Sequence, residues 1–298
     1  MYMKRLLYLL IFIFTISFTF AETNITLCDI SDEPVKKIKR FQPLADYLAE
    51  HLKQFGIKNG QVKIAPDFKT LITWFNQEQA DLYFDSVYPA LYIEQKTKVR
   101  PILRRWKEGL AEYSTLIITL KENNIKTLED LNGKLIAFEN EYSTSGFLLP
   151  LMYLQNKNFI LTKKKFNQNE KTQYNIINYT FAGEDKNIYY WILHKKVDAG
   201  VIDSGNFQEY KQEDRQRFFK IAETEKIPRQ LVMIRTTLDQ NLQDYIKSIL
   251  LNMHKTESGK NILEKFKNTT KFDEIDRKTE KTLTMMRKEI INSTFAAF

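Results

Sequence analysis

The sequence predicts an α/β protein with a mainly parallel sheet. Three observations carry this. Apolar strand-like runs alternate with segments of helical spacing from Ile25 onward. The stretch Gly133–Pro150, GKLIAFENEYSTSGFLLP, reads as strand, turn and helix start. A helix–strand unit also recurs: WFNQEQADLYFDS at Trp74–Ser86 and WILHKKVDAGVIDS at Trp191–Ser204. In both copies a Trp precedes an Asp by seven residues, an apolar strand follows, and the strand ends in Asp-Ser. The carboxyl edge of a parallel sheet is where ligands bind in open α/β folds. The two units therefore predict two similar lobes offering Asp-Ser to a shared crevice. Asp and Ser are also ordinary turn residues at strand ends.

The chain opens with a leader. Lys4 and Arg5 precede an uncharged apolar run, Leu6–Phe20, and Thr19-Phe20-Ala21 offers small residues before a cut ahead of Glu22. This predicts a secretory signal over 1–21 and an exported, periplasmic product; an uncleaved anchor is the alternative. The formal net charge is +8, and two of those positive charges lie in the leader. The other basic residues are scattered, with no basic–aromatic array of the kind that binds nucleic acid. One cysteine, Cys28, excludes an intramolecular disulfide, and its apolar neighbours predict a buried thiol.

Ile25–Ile30 reads as the first strand. Phe41, Leu44, Ala45, Leu48 and Leu52 predict a helix over 38–55, with Pro43 early in it and Gly56 as its stop. Strand Val62–Ala65, helix Phe68–Gln77, strand Ala80–Phe84 and helix Tyr88–Gln95 follow. Val99–Trp106 leads to strand Leu116–Leu120, and LEDLNG predicts a short helix before strand Leu135–Phe138. Lys163–Tyr174 is polar and predicts a surface excursion. Strand Ile176–Phe181, helix Ile188–His194 and strands Val197–Ile202, Phe218–Ala222 and Leu231–Arg235 come next, and the pattern is helical from Leu238 to the end.

Ser143-Thr144-Ser145-Gly146 supplies three hydroxyls where one helix cap suffices. A helix start carries spare N–H donors and partial positive charge. An oxyanion site and an over-supplied cap both fit these residues.

With FQPLADYL, ADLYFDS, EYSTLIIT, IKTLEDLNGKLIAFENEYSTSGFLLP, TFAGEDKNI, VDAGVIDS and FFKIAETEKIP in this order, most of the mature chain resembles the substrate-binding proteins of phosphonate, phosphite and phosphate ABC transporters. The resemblance implies a two-lobed type II periplasmic binding fold, with two crossover strands forming a hinge. The lobes are then 22–112, 113–222, and a return to the first lobe over 223–298. It implies an oxyanion in the cleft, held by Ser143, Thr144 and Ser145, with Tyr113 from the first crossover strand and Asp203 from the second lobe. Ser86 and Tyr88 fall where the first lobe's loop faces the cleft. The implied partners are a small oxyanion and the permease subunits of an ABC transporter, with the binding protein a monomer and no cofactor, metal or catalysis. A sensory protein on the same fold, signalling to a membrane partner, is the alternative.

The chain departs from the resemblance at the ligand. Glu184-Asp185 stands where many relatives carry Ser-His-Asp, so Glu184 faces either a ligand cation or a shared proton. Phe68 replaces a tyrosine. Arg229 and Gln230 follow Ile227-Pro228 where an acid is common. Arg229 suits a second anionic group, or is an exposed surface arginine. His51, His194 and His254 show no grouping, and no HExxH, CxxC or P-loop is present.

Overall fold

The computed structural model describes residues 23–164 and 175–292. The expected leader and most of the Lys163–Tyr174 excursion lie outside the described residues. The first part of the chain forms β1 (Thr23–Ile30), α1 (Pro34–His51), β2 (Ile57–Ala65), α2 (Phe68–Asn76), β3 (Leu82–Asp85), α3 (Val87–Lys96) and β4 (Val99–Arg105). The two-residue strand β5 (Glu112–Tyr113) leads to β6 (Thr115–Leu120) and β7 (Leu135–Phe138). A wide helical turn at Thr144–Leu148 runs into α4 (Leu149–Gln155), then β8 (Ile160–Lys163), β9 (Ile176–Phe181) and α5 (Asp185–Leu193). Next come β10 (Ala199–Asp203), α6 (Ser204–Glu209), α7 (Gln212–Arg215) and β11 (Phe218–Glu223). The chain then returns through β12 (Ile227–Pro228) to β13 (Gln230–Arg235), α8 (Gln240–Asn252), α9 (Glu257–Lys265), β14 (Phe272–Asp273) and α10 (Arg277–Asn292).

Two six-stranded sheets result, ordered β14-β4-β13-β3-β1-β2 and β11-β6-β10-β7-β9-β8. The βα units pair in parallel: β1 with β2 and β3, β9 with β7 and β8, and β7 with β10. Antiparallel strands enter where the chain has just crossed between sheets. β6 follows β5 and pairs with β10, and β13 follows β12 and pairs with β3 and β4. β5 and β12 pair with each other, Tyr113 opposite Ile227. This is the two-lobed arrangement with two crossover strands, and Tyr113 sits in the connection itself.

The cores explain the elements. In β1 the residues alternate, with Ile25 and Leu27 packing under α1 and α8 and Cys28 packing on the opposite face against α2 and α3. Burial drives the Cys28 thiol pKa well up, so the thiol stays protonated. Gly60 is required because a Cβ there would lie 2.2 Å from the Ala45 carbonyl carbon, where β2 presses on α1. The second sheet has a separate core built on Ile117, Ile136, Phe147, Ile177, Ile192 and Val201.

Two sequence expectations change. The first helix begins at Pro34, which takes the favoured first position, so Pro43 lies mid-helix rather than early in it. The C-terminal region is not helical throughout. Phe272 is buried in the first core and Asp273 takes two hydrogen bonds from Arg104 (2.9 and 2.6 Å), which holds β14 against β4.

The repeated unit is real in three dimensions. Asp81 accepts from the Thr26 amide (2.8 Å) while its own N–H donates to the Thr26 carbonyl (3.0 Å). Asp198 does the same with Leu135, at 2.8 and 2.9 Å. Each Asp thus locks its strand to the neighbouring parallel strand. β3 and β10 occupy equivalent places, each between one parallel and one antiparallel neighbour.

Candidate ligand-binding cleft

A cavity of about 620 Å³ opens where the ends of β1, β3 and β4 face the end of β7. The second sheet contributes Glu139, Asn140, Tyr142 and Ser143 to its lining; Asp85 and Ser86 come from the first. Strand β7 runs straight into this wall, because Phe138 ends the buried run and Glu139 begins the turn.

Ser143 caps the turn. Its hydroxyl accepts from the Gly146 amide (2.9 Å) and donates to Glu139 Oε2 (2.5 Å). Gly146 permits this, since a Cβ there would lie 2.4 Å from the Glu139 side chain. Burial raises the Glu139 carboxyl, with the Ser143 hydrogen bond opposing. Thr144 is buried. Its hydroxyl donates to Ser86 Oγ (2.9 Å) and accepts from the Tyr88 amide (2.9 Å). Ser86 in turn donates to Asp85 Oδ1 through its amide (2.6 Å) and its hydroxyl (3.3 Å). One hydroxyl therefore links the turn after β7 to the start of α3, in the other sheet's layer. The Ser145 carbonyl accepts from Thr115 Oγ1 (2.8 Å), which ties the turn to β6.

Tyr113 lies behind this turn, buried. Burial pushes its phenol up to about 12, while the Arg229 cation and hydrogen bonds with Ser145 and Thr144 act against that rise. Arg229 is buried, not an exposed surface arginine. Its guanidinium sits 4.6 Å over the Tyr113 ring, with Glu108 at 3.4 Å and Asp203 at 3.6 Å. Burial works to lower its pKa, but Asp203, Tyr113 and Glu108 outweigh that and leave it raised. Asp203 also accepts from the Gly205 and Asn206 amides (2.7 and 3.1 Å), capping α6.

The eight residues expected at the site thus separate. Ser143 and Ser86 line the cavity, with Thr144 joining them from behind. Ser145 and Tyr113 form a deeper layer with Arg229 and Asp203. Tyr88 is buried in α3, where desolvation raises its phenol. Glu184 is exposed at the start of α5 and makes no capping bond. Phe68 lines the cavity, its ring 5.1 Å from that of Tyr142.

Sequence reasoning missed the basic wall. Lys37 and Arg40 from α1, Arg105 and Lys107 at the end of β4, and Lys267 after α9 all line the cavity. Arg105 is buried and bonds neutral acceptors: Thr269 Oγ1 (2.9 Å), Gln230 Oε1 (2.7 Å) and the Phe266 carbonyl (2.6 Å). Burial pulls its guanidinium down to about 9. Burial, with the Arg229 cation next, pulls the Lys107 ammonium down to about 7. The available signal was the Arg104-Arg105-Trp106-Lys107 run at the end of an apolar strand, the edge where ligands bind.

Known proteins share this architecture. Residues 30–279 match the profile of a family described as ABC transporter, phosphonate, periplasmic substrate-binding protein. The chain belongs to that family. Among solved structures, XAC2383 from Xanthomonas citri bound to chloride ion has a TM-score of 0.82 at 23% identity, covering 90% of this chain and 97% of that one. The same protein bound to ATP gives 0.80 at 22% identity, covering 90% and 96%. PhnD1 from Prochlorococcus marinus in complex with methylphosphonate gives 0.65 at 16% identity, covering 92% and 100%. At such identities the likeness establishes the fold. The phosphonate-binding family consists of periplasmic transport proteins that take a small-molecule ligand to permease partners, not of enzymes. Among the described residues no helix is long and apolar enough to cross a membrane, and no group of His, Cys, Asp and Glu could hold a metal ion.

Proposed function

We propose that this substrate-binding protein captures a small oxyanion of the phosphonate, phosphite or phosphate class between its lobes and delivers it, as a monomer, to an ABC permease. A leader over residues 1–21 directs it to the periplasm. The lobes divide at about 22–112 with 223–298, and 113–222. One observation carries the reading. Ser143 from one sheet and Ser86 from the other line a single cavity and are joined through Thr144. A ligand there touches both lobes at once. Contacts made only when the lobes close drive that closure, and the closed shape is what a permease recognises. β5 and β12 are the natural hinge, and Tyr113 places an aromatic hydroxyl at it. Hydroxyl donors, turned from Glu139 and Asp85 onto a ligand, suit one that must later be released, because no strong ion pair with them has to be broken.

The test is a thermal-shift panel of phosphate, phosphite, methylphosphonate, 2-aminoethylphosphonate, sulfate, ATP and dicarboxylates. A ligand that binds only the native state adds about 2.7 kcal/mol at a hundredfold excess over its Kd. A shift with a phosphorus oxyanion, lost in the Ser143→Ala/Ser86→Ala variant, is the expected result. A flat response across the panel overturns the reading.

A further inference from the structure

We propose that the basic wall of the cleft is a second subsite, so that the natural ligand carries two anionic groups rather than one. This rests on the oxyanion reading above and deepens it.

Of the acids beside the cleft, Asp29 is engaged with Lys37, Asp85 with Tyr83 (2.5 Å) and Ser86, Glu139 with Ser143, and Glu108 with Lys267 (2.9 Å) and Arg229; the exposed Asp32, also in the lining, is the one whose side chain bonds no described residue. The cations are not all matched. The Arg40 and Lys107 side chains make no hydrogen bond or ion pair with any described residue, yet both line the cavity; Lys107 acts on Glu108 and Glu139 only from beyond ion-pair distance. Arg105 is buried on neutral acceptors with its guanidinium 3.6 Å over the Phe266 ring, and no described carboxylate lies within ion-pairing distance. A buried charge without a counter-charge is costly. Holding Phe266, Thr269 and Gln230 explains Arg105 structurally, but nothing of that kind explains Lys107, which sits two residues on in the same cluster. An anion on this wall neutralises all three cations at once.

The hydroxyl wall argues the same way. Each hydroxyl there already donates within the protein: Ser143 to Glu139, Thr144 to Ser86, Ser86 to Asp85. Neutral donors facing carboxylates are a weak sole anchor for a dianion, whereas the opposite wall has unmatched positive charge. The cavity volume also falls within the roughly 300–1,000 Å³ of sites that enclose ligands of many atoms. Phe68 and Tyr142, also in the lining, offer an apolar surface to a carbon linker.

The experiment compares methylphosphonate with methylenediphosphonate by titration calorimetry at pH 6.5 and fixed ionic strength. The wild type should bind the diphosphonate at least tenfold more tightly. The Arg40→Gln/Lys107→Gln variant should bring that ratio to within about twofold of unity and leave methylphosphonate affinity within about twofold. Neither side chain makes a native bond with a described residue, and the Lys107 charge is itself unfavourable in the folded chain, so the variant should not lose melting temperature. A Lys107→Arg variant should retain the ratio. Replacing two exposed lysines of the other sheet, Lys134 and Lys157, is the control for net charge. Equal affinity for the two ligands, equal loss of both in the variant, or the same loss in the control overturns the second subsite. Methylphosphonate binding without a diphosphonate advantage removes this inference alone. Binding of neither ligand removes the oxyanion reading on which it stands.

Discussion

The two Asp-Ser strand ends make an instructive pair. Asp81 and Asp198 lock their strands identically, and β3 and β10 have equivalent neighbours. Their ends nevertheless differ. Asp203 is buried, caps α6 through two amides and faces Arg229 at 3.6 Å. Asp85 stays at the cavity wall, takes Tyr83 and Ser86 as donors and is reached from the other lobe through Thr144. One copy of the unit ends in a buried layer beside the crossover strands, and the other ends at the cavity wall. The backbone unit sets where an Asp-Ser pair stands, while the residues delivered from elsewhere in the chain set what it does.

Three experiments press on that difference, the largest effect first. Arg229→Met removes the cation from the Asp203 end and leaves a buried carboxylate without its partner. The expected loss is about 3 kcal/mol of unfolding free energy, read by urea denaturation, with the Asp85 end undisturbed. A loss below about 0.5 kcal/mol would make the two ends energetically alike. Thr144→Val acts on the Asp85–Ser86 end. It keeps the shape but strips the acceptor from the buried Tyr88 amide, costing about 1–2 kcal/mol. The same variant should also weaken ligand binding, because the link between the lobes goes with it; a stability loss with unchanged affinity would make Thr144 a strut only.

The smallest effect is the dependence on pH. Lys107 titrates near 7, well below the ordinary lysine value of 10.5, because of burial and then the Arg229 charge. Arg105 and Lys267 push it the same way and Glu108 opposes them. An anion favours the ammonium, so below about 7 the charge is already present and binding takes up no proton there. Above about 7 binding must draw a proton in, and affinity should fall as pH rises. Stability runs in the opposite sense. Between about 7 and 10.5 the unfolded chain holds a proton that the folded chain lacks, so the penalty for Lys107 is full below 7 and is relieved as pH rises through that window. Calorimetry in buffers of different ionisation enthalpy at pH 8 should show proton uptake that is absent in Lys107→Gln; uptake retained in the variant would place the titrating group elsewhere.

Much of the fold is legible in the sequence. Strands such as Leu135–Phe138 and Ile176–Phe181 lie where their apolar runs place them, because a buried strand advertises itself in consecutive residues. β14 was not legible, since two residues cannot show a period; the Phe272 pocket and the Arg104–Asp273 pair create it. At the cleft, the hydroxyl cluster was legible because Ser143, Thr144 and Ser145 adjoin one another. The basic wall was not, because Arg40, Lys107 and Lys267 are distant in sequence and each alone reads as a solvated surface charge.

The sequence by itself therefore determined the α/β class, the repeated helix–strand unit, the family and the hydroxyl turn. All of these are written in local order, where periodicity and short motifs operate. Tertiary structure alone decided that Arg229 is buried against Tyr113 and Asp203, that Glu184 stays exposed, and that unmatched cations gather opposite the hydroxyl turn. Charge pairing and desolvation depend on distance in space. They are fixed only once both sheets and the crossovers between them are in place.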